Sequence, residues 1–161
     1  MGKGLVVYDT YFGNTEKVAQ AIGAALSDRA AMTVRKVSDV TAADLKGLSL
    51  LVVGSPTRAF SPTPAAKKLL SSLPKGALDG TAVAAFDTRM QVNDPKAPGI
   101  LRFMAGIFGY AAEPLARLLM GKGGKQAAPP TGFFVLESEG PLTAGELERA
   151  AGWARQVAAG M

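Results

Sequence analysis

The chain has 161 residues, a length that suits one domain with its own core, and 18 lysines and arginines against 13 acidic residues give it a net charge of +5. It contains neither cysteine nor histidine, which excludes disulfides, thiolate nucleophiles, zinc fingers and every catalytic triad built on an imidazole. Its 48% apolar and 19% charged residues describe a compact domain, not a disordered one. If a chain without cysteine and histidine does chemistry, the reactive atoms are expected to belong to a bound cofactor.

In chain order, the apolar run 5–8 reads as a first strand and leads into a helix over 15–26. A second strand is expected at 32–37, a short helix at 42–46 and a third strand at 48–53. Thr63 then caps a helix over 64–73, with Pro64 in the first turn where its missing N–H costs nothing. A fourth strand at 82–86 precedes a long helix over 99–120, which Pro114 should bend near Ala112 and Gly121, Gly123 and Gly124 should stop. The last unit is a strand at 133–136 and a helix over 144–159, opened by Thr143 and Glu146 at capping-box spacing.

Strands that alternate with helices through short connections imply an α/β fold, since right-handed crossovers place helices on both faces of a parallel sheet. The expectation is therefore one domain over 1–161, a three-layer doubly wound sheet of five parallel strands in the order 2-1-3-4-5. Such a sheet takes its ligand outside the carboxyl ends of the strands, where the order reverses between the first and third. The loops after strands 1, 3 and 4 should form the site.

No targeting segment interrupts this reading. The amino terminus runs into the apolar strand at once, too short for a secretory signal and without a small-residue cleavage site. The longest apolar stretch, 100–120, carries Arg102, Glu113 and Arg117 and would be costly to place across a bilayer. A cytoplasmic protein with no transmembrane segment is expected.

The stretch Val6-Val7-Tyr8-Asp9-Thr10-Tyr11-Phe12-Gly13-Asn14-Thr15-Glu16 passes from strand to helix. A phosphate there could take amide hydrogens at the helix start and hydroxyls from Thr10 and Thr15, with Gly13 allowing close backbone approach. The same residues also suit a plain turn with an N-cap. After strand 3, Gly54-Ser55-Pro56-Thr57-Arg58 forms a proline-fixed loop that could meet a planar ligand edge or be only a rigid turn. After strand 4, Asp87 suits either a loop cap or a ligand contact. Arg89 is a cation that, at about 6 Å from a reduced anionic cofactor and an effective dielectric of about 20, would stabilise it by roughly 2–3 kcal/mol.

From Val6 through Ile22 the chain resembles the flavodoxin signature: two aliphatics, an aromatic, a hydroxyl, a small residue, then Thr15, Ala19 and Ile22. The resemblance continues through Gly54-Ser55-Pro56-Thr57-Arg58, Phe86-Asp87-Thr88-Arg89 and Glu139-Gly140-Pro141-Leu142. It implies non-covalently bound FMN and one- or two-electron transfer. Carried over position by position, it implies that Thr10, Tyr11, Phe12, Gly13, Asn14 and Thr15 hold the phosphate. By the same carry-over, Ser55, Pro56, Thr57, Arg58 and Phe60 and the segment Asp87, Thr88, Arg89 and Met90 would border the isoalloxazine. An electron carrier is the leading reading. The Ser-Pro-Thr-Arg run is similar to that of flavodoxin-like quinone reductases, which keeps open an FMN-dependent oxidoreductase using NAD(P)H and a quinone.

The basic excess is uneven: residues 1–90 carry 11 basic and 7 acidic groups, and residues 131–161 carry 2 and 4. A positive field near the expected cofactor loops would steer a redox partner with an acidic docking face. Nucleic acid is not expected, because no arginine-rich run, aromatic series or recognition helix accompanies the charge. Within 99–120, Leu101, Met104, Ile107, Phe108, Leu115, Leu118 and Leu119 exceed the needs of one sheet-facing stripe, which suggests a covering helix, a homodimer contact or a membrane-surface contact near a quinone pool.

Overall fold

Runs of valine, leucine and alanine, apolar on both faces, build the centre of a parallel sheet that must be covered on both sides. In the computed structural model, which describes residues 2–90, 99–100 and 109–161, the strands are β1 (Lys3–Tyr8), β2 (Ala31–Lys36), β3 (Leu50–Pro56), β4 (Ala82–Met90), β5 (Lys125–Gln126) and β6 (Thr131–Val135). All pair in parallel in the order β2-β1-β3-β4-β5, with β6 also on β4. The order 2-1-3-4-5 and the α/β class are those expected.

Among the described residues the sheet is covered by the α-helices α1 (Asn14–Leu26), α2 (Pro64–Ser71), α3 (Ala112–Gly121) and α4 (Glu146–Ala159). Alternate residues of β1 and β3 point to opposite layers, as the two-residue period of a strand requires. Leu5, Val7, Leu51 and Val53 pack with Leu70 of α2 and Leu115 and Leu119 of α3. Val6, Leu50 and Val52 pack with Val18 and Ile22 of α1 and Trp153 of α4. Phe86, Phe133 and Trp153 meet edge-to-face at 6.1–6.2 Å between ring centroids, and a Cβ on Gly54 would stand 2.0 Å from the Phe86 ring. Only glycine lets β3 lie over that aromatic trio.

β2, at the sheet edge where the expected order places it, is exposed or half-buried along its length. Three expectations are corrected. β3 and β4 run beyond 53 and 86, so Ser55, Pro56 and Asp87 to Met90 belong to strands, with Ser55 opposite Asp87 and Pro56 opposite Thr88. The fifth strand is split. Gln126 pairs with Val83 and Thr131 with Phe86, and the residues between include Pro129 and Pro130, which have no N–H to give the ladder. The fourth helix is not continuous from 99, because Gly109 sits at φ 72° and α3 begins at Ala112, with Pro114 tolerated in its first turn.

Of the apolar surplus named for 99–120, Leu101, Met104, Ile107 and Phe108 lie outside the described residues. Leu115 and Leu119 are buried, and Leu118 packs partly against the core. Among the described residues no helix is long and apolar enough to cross a membrane.

At α2 the expected cap is present: Thr63 Oγ1 accepts from the Ala66 amide at 3.3 Å. At α4 it is not. Gly145, at φ 83°, opens that helix without a side-chain cap, and the Glu146 carboxylate turns back to accept from the Phe134 amide at 2.7 Å and from Arg149 at 2.6 and 2.9 Å. Burial opposes the charge on Glu146, but these hydrogen bonds and the Arg149 cation outweigh it and hold the carboxyl below the usual glutamate range. The unfolded chain therefore binds a proton more readily than the folded one, so this interaction stabilises the fold above the ordinary glutamate pKa and is lost as pH falls through the lowered one. Glu146→Gln should cost about 1–3 kcal/mol at neutral pH. Urea titrations at pH 7 and pH 3 should show the gap to wild type closing in acid, and an equal gap at both would refute the ionic role.

Candidate functional site

Beyond the carboxyl ends of β1, β3, β4 and β6 the chain leaves a cleft at the point where the strand order reverses. Its first wall is the β1–α1 turn. The Asp9 amide donates to Gly54 O at 3.0 Å, Asp9 Oδ1 accepts from the Thr10 amide at 2.9 Å, and Thr10 Oγ1 accepts from the Gly13 amide at 2.8 Å. Gly13 sits at φ 91° with nothing within 4 Å of where a Cβ would stand, so its glycine is demanded by the left-handed backbone and not by crowding within the protein.

As first-turn residues, Asn14, Thr15 and Glu16 have amides with no intrahelical acceptor. The Asn14 side chain donates to Glu139 O at 3.1 Å and ties this turn to the loop after β6. Thr15 and Thr88 share a buried hydroxyl–hydroxyl bond of 2.8 Å. Two hydroxyls so joined use one proton between them and leave the other for a ligand. Glu16, the acid in the first turn, accepts from the Tyr8 hydroxyl at 3.0 Å and does not line the cleft.

The second wall follows β3. Ser55 Oγ accepts from the Thr63 amide at 3.0 Å and donates to Pro56 O at 2.8 Å, pinning both ends of the loop. Thr57 donates its amide to Thr88 O, and its hydroxyl accepts from the Ala111 amide at 3.1 Å. Arg58 and Ser61 exchange two backbone bonds of 2.9 Å across a tight turn whose central residues, Ala59 and Phe60, take φ 48° and 63°. The exposed Arg58 guanidinium lies 4.8 Å from the Tyr11 ring centroid and 5.9 Å from that of Phe12, so it reaches across to the first wall.

The third wall is the end of β4. Asp87 is fully buried and bidentate to Arg89, with Oδ1 to Nε and Oδ2 to an Nη each at 2.7 Å, while Oδ2 also accepts from the Ala112 amide at 2.9 Å. Burial pushes the Asp87 carboxyl upward, and Arg89 and the Ala112 amide pull against it. The other face of Arg89 rests on Tyr110, 3.7 Å from the ring centroid.

The cleft is lined by Thr10, Tyr11, Phe12, Asn14, Thr15, Pro56, Thr57, Arg58, Thr88, Arg89 and Met90. Gly13, Ser55, Phe60 and Asp87 are absent from the lining: Ser55 and Asp87 stand behind it as supports, and the Arg89 cation is ion-paired to Asp87. Sequence reasoning missed Val135 and Ser138, which close the side next to β4. The expected strand order, which sets the end of the last strand beside the fourth, was the signal that could have found them.

No protein-family model and no curated protein sequence matches the chain. Solved structures do. Flavodoxin 2 from Bacillus cereus superposes with a TM-score of 0.75 at 19% identity, over 99% of each chain. A flavodoxin from the domain Archaea gives 0.68 at 22% identity, over 98% of this chain and 96% of that one. The chain has the flavodoxin fold. The same flavodoxin fold matches rubredoxin oxygen:oxidoreductase from Desulfovibrio gigas with a TM-score of 0.75 at 18% identity; this chain is covered to 99% but spans only 36% of that protein.

Left-handed backbone at a non-glycine residue costs about 1–2 kcal/mol. Ala59 is exposed in the loop that carries Arg58. Ala59→Gly should therefore raise stability by about 1 kcal/mol and lift the melting temperature by several degrees. A lower melting temperature would show that residue 59 does not hold this conformation.

Proposed function

We propose that this chain is an FMN-binding redox protein that carries electrons to or from a protein partner. The observation that carries the reading is the donor set of the β1–α1 turn, placed at the switch point of a flavodoxin-like sheet. It comprises the first-turn amides of α1, the hydroxyl of Thr10, whose oxygen already accepts from Gly13 and whose proton is left for a ligand, and one proton of the Thr15–Thr88 pair. No carboxylate lines the cleft among the described residues. This set fits a phosphate monoester, with the dipole of α1 adding attraction.

In this reading Thr10 and Thr15 hold the phosphate, Asn14 fixes the turn against the loop after β6, and Pro56, Thr57 and Met90 border the ring. Tyr11 and Phe12, about half exposed, offer aromatic surface at the rim. When bound, FMN supplies one- and two-electron transfer, and a chain without cysteine has no thiol–disulfide couple to supply the two-electron step. A net charge of +5 suits a partner that presents an acidic face. A cytoplasmic setting belongs to the proposal, and rests on the sequence alone.

Titration calorimetry and visible spectra of the purified protein test the cofactor. Binding of FMN is expected, with Thr10→Val weakening FMN about tenfold while leaving riboflavin affinity unchanged, since one hydrogen bond to a charged group is worth roughly 1.5–3 kcal/mol. No heat with FMN would overturn the reading. Steady turnover of NAD(P)H with a quinone, without an added reductase, would replace the carrier by the oxidoreductase that Ser55-Pro56-Thr57-Arg58 resembles.

A further inference from the structure

Two guanidinium groups face the cleft, and they are not equivalent. Arg58 is exposed and stacks on Tyr11 and Phe12, and no ion pair to it is present among the described residues. Arg89 is 17% exposed at its side chain and held on three sides: the Asp87 carboxylate at 2.7 Å, the Tyr110 ring at 3.7 Å, and Gly132, where a Cβ would stand 2.0 Å from Nε. Glu113 is the further acid whose charge bears on Asp87. Asp87 itself does not line the cleft. A ligand there meets the guanidinium first and the carboxylate behind it.

We propose that Asp87 is a positioning residue that sets the reduction potential of the ligand in this cleft by cancelling the charge of the locked Arg89 beside it. The inference rests on the FMN reading. A flavin that gains electrons gains negative charge or takes up protons to offset it, so a bare cation on its border favours the reduced form. With Asp87 in place the pair contributes a dipole instead of a full charge, and Arg58 is left as the uncompensated cation of the lining. The arrangement is rigid because the carboxylate is buried and its oxygens are engaged by Arg89 and by the Ala112 amide.

The test is spectroelectrochemistry of the FMN-loaded protein and three variants. Asp87→Asn keeps an acceptor for the Ala112 amide and uncovers Arg89, so its potential should rise. Arg89→Gln uncovers Asp87 and lets burial push its carboxyl further up, so the potential should fall where the carboxylate is ionised, at alkaline pH, and approach the wild-type value where it is protonated. The double variant should return most of the way to the wild-type value, because the net charge of the pair is zero in both and only its dipole is lost. A merely structural role for Asp87 would not give opposite shifts that cancel. An unchanged or lower potential in a folded, FMN-loaded Asp87→Asn protein overturns the proposal. Should that variant not fold, a potential in Arg89→Gln that is unchanged or higher at every pH up to the alkaline limit overturns it as well. Failure of the wild type to bind FMN at all is a different result, and removes the reading on which the proposal stands.

Discussion

β3 lies between β1 and β4 in the sheet and between two apolar layers across it, and its seven residues can satisfy their backbone only through parallel pairing on both edges. That constraint fixes the site. β1 must leave β3 towards one side of the sheet and β4 towards the other, and their following helices go to opposite faces. The loops part at the carboxyl end, and the cleft is what is left between them.

Pairing of β3 with β4 continues past the apolar core into Ser55–Asp87 and Pro56–Thr88, where buried polar residues need partners. The structure meets that need by using the side chains as fasteners. Ser55 receives the start of α2 through Thr63, Thr57 and Asp87 receive the start of α3 through the amides of Ala111 and Ala112, and Thr88 meets Thr15 at the start of α1. Three helix N-termini are thus tied to two strand ends. No buried side-chain polar atom among the described residues is left without a partner. The walls of the cleft are therefore set before any ligand arrives, which lowers the ordering cost of binding.

Much of this was legible in sequence. The strand order followed from the alternation of short apolar runs with helical periods, and the first wall from Thr10, Gly13 and Thr15 at one strand-to-helix turn. What was hidden has a common cause: the partners are distant along the chain. Asp87 reads as a cap for its own loop, yet it binds Arg89 two residues on and Ala112 across the segment between. Thr143 and Glu146 show capping-box spacing, yet Glu146 serves Phe134 of the neighbouring strand while a left-handed glycine opens the helix. Polar residues at the ends of β3 and β4 carry no hydrophobic period, so the strands seem to stop where their pairing continues.

The walls also differ in how they are held. At the third wall both Asp87 oxygens are engaged by Arg89 and one also by the Ala112 amide, and Tyr110 and Gly132 pack against the guanidinium. In the second wall, the turn carrying Arg58 places two non-glycine residues at positive φ, which is a strained backbone held by the Arg58–Ser61 pairing and by Ser55 at the base of the loop. Strain of this kind persists only while its surroundings over-determine it, and Arg58 adds to them by stacking across the cleft on Tyr11 and Phe12. The cleft therefore has one charge that is half-buried and ion-paired, and one that is exposed, unpaired among the described residues and carried on a strained loop. A ligand that draws Arg58 off its aromatic partners removes a brace from that turn, whereas the same ligand leaves Arg89 where Asp87 holds it.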